Sequence, residues 1–129
     1  MDGFLSVCDL ALHSNRTRQQ IVSLRLWLKL ILSLSYYRDG QENILRLRDV
    51  LDYFSDIFQT LREERQTVLI IIHNLCFSSQ NRVRIAQHHK TLVCLKQALN
   101  INEDINHHRI AAGACWALMT SSQKAKGKL

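Results

Sequence analysis

Histidines, cysteines and paired acidic residues are the side chains of this sequence that could support metal binding or catalysis. The chain has six histidines, including the adjacent pairs His88-His89 and His107-His108, and four cysteines, of which Cys94 and Cys115 could converge with them. Neighbouring residues on a helix point about 100° apart, so neither pair can chelate one ion. The sequence also has no CxxC, HxxxH or HExxH spacing. We therefore predict no metal and no cofactor.

A cysteine nucleophile needs an exposed thiolate with a base beside it. The cysteines fall instead inside apolar helical patterns, at Cys8, Cys76, Cys94 and Cys115. That placement is typical of reduced core thiols in an intracellular protein. The acidic pairs Glu63-Glu64 and Glu103-Asp104 fall in predicted loops, and there is no glycine-rich phosphate loop. The sequence therefore predicts a protein that is not an enzyme and has no small-molecule substrate.

One local pattern occurs twice and organises the rest of the chain. Its copies are VLIIIHNLCFSSQ, from Val68 to Gln80, and AAGACWALMTSSQ, from Ala111 to Gln123, which lie 43 positions apart. Two shorter helical patterns and the polar break INEDIN separate them. The unit thus consists of a short helix, a medium helix, a loop and a long buried helix, an order that suits an armadillo-type repeat.

The long helices of this unit are apolar on nearly all sides. In the first copy Ile70 and Phe77 lie opposite the main apolar sector, and in the second copy Trp116 and Met119 belong to a second apolar stripe. A helix of this kind needs cover on several sides. Neighbouring repeats must therefore stack into a shared core.

The flanking segments also have helical patterns. The predicted helices are residues 2–13, Arg16 to about Tyr37, Glu42 to Arg48, Asp49 to Arg62, Asn81 to about His88, and about Lys90 to Leu99. Asp39-Gly40 is the expected stop of the first long helix. Asp49, Asn81 and Asn106 are expected to cap the helices that follow them.

The whole chain, residues 1–129, is predicted to be a single all-α, armadillo-like domain. We predict a right-handed superhelical solenoid of about two and a half three-helix repeats. The expected units are a partial repeat 1–40, repeats 41–80 and 81–123, and a basic tail 124–129. Neither end is conspicuously polar, as the capping repeats of a solenoid are, so we expect an excerpt of a longer array. The sequence has no proline and only four glycines, which disfavours a turn-rich β-sandwich.

The formal net charge of +6 permits acidic partners, but the arginines are spread along the chain and most are expected to be solvated. The apolar run 21–37 contains Arg25 and Lys29 and is marginal in length for a bilayer, so we predict no membrane span. The opening MDGFLSVCDL lacks the features of a secretion signal. Nucleic-acid binding is an alternative function, and it would depend on Arg82, Arg84 and the lysine tail and fall steeply with salt.

The candidate protein-binding residues are His73, Asn74, Arg82, Arg84 and Trp116. Trp27 and Trp116 are both expected to fill the core. The alternative is that Trp116, with Asn74, faces a groove and grips an extended partner. Under the SSQ alignment His73 stands in place of Trp116, so the regular Trp/Asn ladder of a transport-type peptide carrier is absent. Such a groove should also be acidic, whereas this chain is basic.

The sequences HNLCFSSQNRVRIA and GACWALMTSSQKAKGKL resemble the C-terminal armadillo-like region of the rotatin family, large proteins of centrioles and ciliary basal bodies. The similarity is best over residues 66–128. It is carried by Trp116-Ala117-Leu118, followed by Gln123-Lys124-Ala125-Lys126. The QKAK sequence is the less usual part, since WAL is common to many armadillo proteins, and Cys115 and Met119 are departures from the family pattern.

This resemblance implies a non-enzymatic scaffold that is needed for centriole assembly and cilium formation. It also implies a cytoplasmic, cytoskeletal location at the centrosome, centriole and basal body, and other centriolar proteins as partners. Insect members of the family are centriolar, and such a member is the expected source. The resemblance does not identify the residues that contact a partner.

Overall fold

The computed structural model describes residues 18–100 and 102–127, with side chains up to Thr120 in the last helix. This part of the chain is helical and contains no strand. Its elements are α1 Arg18–Ser35, α2 Arg38–Arg46, α3 Val50–Thr60, a 3-10 turn Arg62–Glu64, α4 Arg65–Leu75, α5 Ser79–Gln87, α6 His89–Ala98 and α7 Ile105–Gly127. The predicted all-α class is confirmed. The helix predicted over residues 2–13 lies outside the described residues.

Each helix packs against its counterpart in the next group. The long helices α1, α4 and α7 contact in sequence, with α4 in the middle, while α3 packs on α6 and α2 on α5. This like-on-like packing is how stacked helical repeats build a common core. The armadillo geometry, its right-handed superhelix and the repeat boundaries stay predictions.

The middle long helix shows why the groups must stack. The apolar residues of α4 that have no exposed surface are Val68, Leu69, Ile71, Ile72 and Leu75. By contrast, α1 and α7 each bury one face and expose apolar residues on the other, including Leu26 on α1 and Trp116 on α7. Ile70, opposite the main apolar sector of α4, is half-buried. An all-round apolar helix is therefore covered over most of its surface only where it has a long helix on both sides.

The two tryptophans have opposite environments. Trp27 is 2% exposed, and its ring lies 5.9 Å from that of Phe54 between centroids, so the core prediction for it is confirmed. Trp116 is 72% exposed, and the same prediction for it is wrong. The physical reason is that α7 buries Ala114 and Leu118 against the preceding helices, while Trp116 lies on another side of the helix.

The predicted helix stop at Asp39-Gly40 is wrong. The first long helix ends at Ser35, and both residues lie in the first turn of α2. A Cβ added at Gly40 would lie 2.8 Å from the carbonyl carbon of Leu34 and closer still to its oxygen. Glycine is needed here because α2 folds back tightly against the end of α1.

The predicted N-caps also differ from the structure. Asp49 precedes α3 in a left-handed conformation, with φ 57°, but its side chain makes no capping hydrogen bond. Asn81 lies inside α5, which Ser78 precedes. At the start of α7 it is Asp104, not Asn106, whose carboxylate accepts a backbone N–H, that of Asn106 at 2.7 Å. Asp, Asn and Ser all favour caps, so residue type alone did not select the right one.

Candidate protein-interaction site

The structure brings the helices that carry the predicted site residues together. His73 and Asn74 lie in the last turn of α4, Arg82 and Arg84 on α5, and Trp116 on α7. Both α4 and α5 pack against α7. The five side chains nevertheless have different surroundings, so each is described by its own contacts.

Asn74 lies inside the core, at 5% exposure. Its side-chain amide donates to the hydroxyl of Ser35 at 3.0 Å, and that hydroxyl donates to the carbonyl of Leu32 at 2.6 Å. Buried polar groups need such partners, because an unpaired one costs free energy. Asn74 thus joins α4 to the end of α1 and does not face an open groove.

A polar contact that was not predicted from the sequence recurs in consecutive units. The amide of Gln41 donates to the carbonyl of Ser35, and that of Asn81 to the carbonyl of Leu75, in each case six residues earlier at the end of a long helix. Asn81, 40 positions after Gln41, also donates to the carbonyl of Gln41 at 3.1 Å. An amide six residues after each of the first two long helices was the signal in the sequence.

The two predicted arginines also bond to the backbone. Arg84 donates to the carbonyl of Leu45 at 2.6 Å, near the end of α2, where carbonyls lack helical partners. Arg82 donates to the carbonyls of Cys76 and Phe77, at 2.7 and 3.2 Å. Both side chains therefore stabilise helix ends, and Arg82 in addition lines a cavity.

A cavity of about 560 Å³ opens between α2 and the turn that joins α4 to α5. We call it the α2–α5 cavity, and it is lined by Arg38, Gln41, Glu42, Phe77, Ser78, Ser79, Gln80 and Arg82. Phe77 is 64% exposed, and its ring lies edge-on to that of His73 at 5.4 Å between centroids. The cavity thus combines an aromatic side chain with charged groups of both signs.

His73 lies between Phe77 and α7. A Cβ added at Gly113 would lie 3.0 Å from the Cδ2 and Nε2 atoms of the His73 ring, so glycine allows α7 to approach α4 closely. Trp116 follows one turn later on α7. His73 is therefore half-buried in a helix contact, whereas Trp116 projects from the surface.

An apolar stripe runs along the exposed side of α7. Four apolar residues are spaced so that they lie on one side of the helix, which we call the α7 outer face: Ile105, Ala112, Trp116 and Met119. All are exposed. On the opposite face the buried residues Ala111, Ala114 and Leu118 pack into the core. The last long helix is therefore apolar on two sides, as predicted, but only one is covered by the described residues.

The histidines and cysteines have contacts that belong to the fold. Among the residues described, no group of three or more His, Cys, Asp or Glu side chains could hold a metal ion. His88 caps α6, because its Nδ1 accepts the backbone N–H of Thr91 at 3.2 Å while its Nε2 lies 3.0 Å from a carboxylate oxygen of Asp52.

No helix in the described part of the chain is long and apolar enough to cross a membrane.

The buried cysteines predict how thiol reactivity depends on folding and pH. Burial raises the pKa of Cys76 to about 12, and it also raises the pKa values of Cys94 and Cys115. Because the thiolate is the reactive form, we expect iodoacetamide at mildly alkaline pH to modify Cys76 only after unfolding, as measured by peptide mass spectrometry.

The same shift links Cys76 to stability. In the unfolded chain this thiol ionises near its ordinary pKa of 9.0, while in the folded chain it stays protonated until about 12. The stability it supports is therefore present below pH 9 and lost as the pH rises towards 12. A Cys76→Ala variant should show a smaller fall in the free energy of unfolding over that window. An equal fall would contradict the assignment.

These features define an all-α protein whose helix groups stack like on like. The chain is 40% identical to human Rotatin and 38% identical to mouse Rotatin, each over 105 residues. These matches cover 81% of the chain but 5% of each relative, so the chain spans a small part of the relatives it matches. Over these residues the chain belongs to the rotatin family. No protein-family profile and no solved structure matches it.

Proposed function

We propose that this chain is a protein-interaction segment of a rotatin-type scaffold at centrioles and basal bodies, without a catalytic activity. The α7 outer face is the observation that supports this function most. Its exposed residues Ala112, Trp116 and Met119 are neighbours on one side of the helix, with the tryptophan at their centre, while Arg109 separates them from Ile105. Apolar patches of this kind are typical of interaction surfaces, and tryptophan is enriched among the residues that dominate interface energetics.

The preceding unit supports a helical partner for this face. At the 43-position offset, Ala112 corresponds to Leu69 of α4 and Met119 to Cys76, the residue that follows α4, and both counterparts are buried. The helix α7 packs against α4, and its Gly113 approaches His73, the counterpart of Trp116. In α4, the side that corresponds to the α7 outer face is covered by another helix. The α7 outer face therefore has the apolar character of a surface that packs against a helix. We propose that an amphipathic helix of a centriolar protein binds here.

The centriolar setting is supported by the family. Rotatin-family resemblance implies a scaffold for centriole assembly and cilium formation, with other centriolar proteins as partners and a cytoplasmic location at the centrosome and basal body. Stacked helices suit this function because they present a broad surface on a rigid support.

The proposal predicts a strong effect of Trp116→Glu. We expect the chain, fused to a fluorescent protein, to concentrate at centrioles in dividing cells, and the variant to lose that enrichment about tenfold or more, because a dominant interface aromatic contributes about 2 kcal/mol. Trp116 is exposed, so circular dichroism should show an unchanged fold. Fluorescence at a centriole marker, relative to the cytoplasm, is the measurement.

Val83→Glu is the matched control. Val83 is also an exposed apolar residue but lies on α5, so it introduces the same charge outside the α7 outer face. We expect this variant to remain at centrioles. An even distribution of the unsubstituted chain, or equal loss in both variants, would contradict the proposal.

A further inference from the structure

The α2–α5 cavity differs in chemistry from the α7 outer face. We infer that it binds an acidic peptide segment of a partner protein, a conclusion that rests on the proposed interaction function. Carboxylates of the peptide would lie against Arg38 and Arg82, and an apolar side chain would pack on Phe77. All three residues line the cavity.

Arg82 presents a fixed donor at the cavity wall. Its two bonds to the carbonyls of Cys76 and Phe77 hold the guanidinium in place. A guanidinium has further N–H donors in the same plane, and arginine binds carboxylates through two parallel hydrogen bonds. Because the fold already holds this side chain, less conformational entropy is lost when a ligand binds.

Arg38 supplies a second, mobile charge. Its side chain is 89% exposed, and its Nε lies 3.8 Å from a carboxylate oxygen of Glu42. Surface ion pairs of this kind contribute little free energy, so Arg38 can turn towards a ligand carboxylate at small cost. Glu42 also lines the cavity and opposes the binding of an acidic ligand there.

The turn before α5 adds to the positive potential. Ser78, Ser79 and Gln80 line the cavity, and the first turn of α5 has neither a side-chain capping bond from Ser78 nor an acidic residue. Backbone N–H groups at a helix N-terminus favour negative charge, although the effect is small in water. They support the two arginines and do not form a site by themselves.

The geometry favours a peptide over a nucleic acid. Nucleic-acid grooves follow the phosphate backbone with a continuous row of basic side chains. Here the row is interrupted, because Glu42 lies in the cavity and Arg84 is bonded to the carbonyl of Leu45. The exposed ring of Phe77 gives an apolar contact that an acidic segment with one large apolar side chain would match.

Fluorescence anisotropy tests this inference with the 129-residue chain and a labelled peptide of glutamates around a central leucine. The control peptide has glutamines in place of the glutamates. We expect the glutamate peptide to bind about tenfold more tightly. Arg38→Glu should weaken its binding by about tenfold, because the reversal removes an attractive surface charge and adds a repulsive one. Glu42→Gln should strengthen it by about threefold, because a surface repulsion is removed.

Arg48→Glu is the matched control for Arg38→Glu. Arg48 is 91% exposed and lies 3.8 Å from a carboxylate oxygen of Asp49, but it does not line the cavity. We expect this variant to bind the peptide normally. If it binds as weakly as Arg38→Glu, the peptide is only attracted to a chain of net charge +6, and the inference is wrong. It is also wrong if an oligothymidylate binds more tightly than the peptide and depends equally on Arg38.

The two proposals can fail separately. The peptide assay does not involve the α7 outer face, so Trp116→Glu should leave the affinity for the peptide unchanged. A chain that is absent from centrioles but binds the peptide through Arg38 would contradict the proposed function alone. A chain that is present at centrioles but does not distinguish glutamate from glutamine would overturn the cavity assignment alone.

Discussion

Gly40→Ala is expected to lower the free energy of unfolding by about 2 kcal/mol or more, although alanine is the better helix former. The added Cβ would meet the backbone of Leu34, with 2.8 Å to its carbonyl carbon. Backbone atoms cannot rotate away as a side chain can, so α1 and α2 would have to separate. Overpacking of this kind costs about 1–3 kcal/mol or more and exceeds the gain of about 1 kcal/mol in helix propensity.

Gly113→Ala is the comparison that isolates this effect. Gly113 is also helical, but its added Cβ would meet the ring of His73, a side chain that can shift. We expect a change within about 1 kcal/mol, since the gain in helix propensity offsets the tighter contact. Urea unfolding followed by circular dichroism measures both variants. Equal effects would mean that the close approach of α2 to α1 does not require Gly40.

Gly40 was predicted to end a helix, but it lies inside one. The difference shows which part of the fold the sequence encodes locally. Apolar periodicity predicted the long and medium helices, because burial of one face leaves a repeating signal. A glycine after an aspartate looks like a helix stop in the same sequence. The contact between Gly40 and Leu34 arises only when two helices meet, so no local pattern distinguishes it from a stop.

The two SSQ sequences make the same point about helix ends. Ser78 precedes α5 and Ser79 begins it, so the chain turns there, whereas residues 121–123 lie within α7. In the first copy the next residue is Asn81, whose amide bonds back to the carbonyl of Leu75. The corresponding residue after the second copy is Lys124. Identical tripeptides thus lie at a turn in one copy and within a helix in the other.

For the candidate site, the sequence indicated useful residue types but not their surroundings. The exposed position of Trp116 follows from which side of α7 the other helices cover, and periodicity cannot choose between two apolar faces. Asn74 and Arg84 are polar residues whose partners are inside the chain. Arg38 was not predicted, because the cavity it lines forms between segments that are distant in sequence.

Asn81→Ala is expected to lower the free energy of unfolding by about 2–4 kcal/mol. Asn81 is buried, and its amide donates to the carbonyls of both Gln41 and Leu75. Alanine would remove two hydrogen bonds of about 0.5–1.5 kcal/mol each, although the carbonyl of Leu75 keeps the N–H of Ser78. The space left by the buried side chain costs about 1 kcal/mol more. Because one of the bonds joins consecutive helix groups, the substitution also weakens the contact between them.

Asn43→Ala is the control, since Asn43 is an exposed residue of α2 that accepts one hydrogen bond, from Arg46 at 3.3 Å. We expect it to change the free energy of unfolding by less than about 0.5 kcal/mol. The side-chain amide of Gln41 donates to one carbonyl, whereas that of Asn81 donates to two. The effect of Gln41→Ala on the free energy of unfolding should therefore fall between those of the other two variants. Urea denaturation measures all three. A loss below about 1 kcal/mol for Asn81→Ala would show that water replaces the amide at both carbonyls.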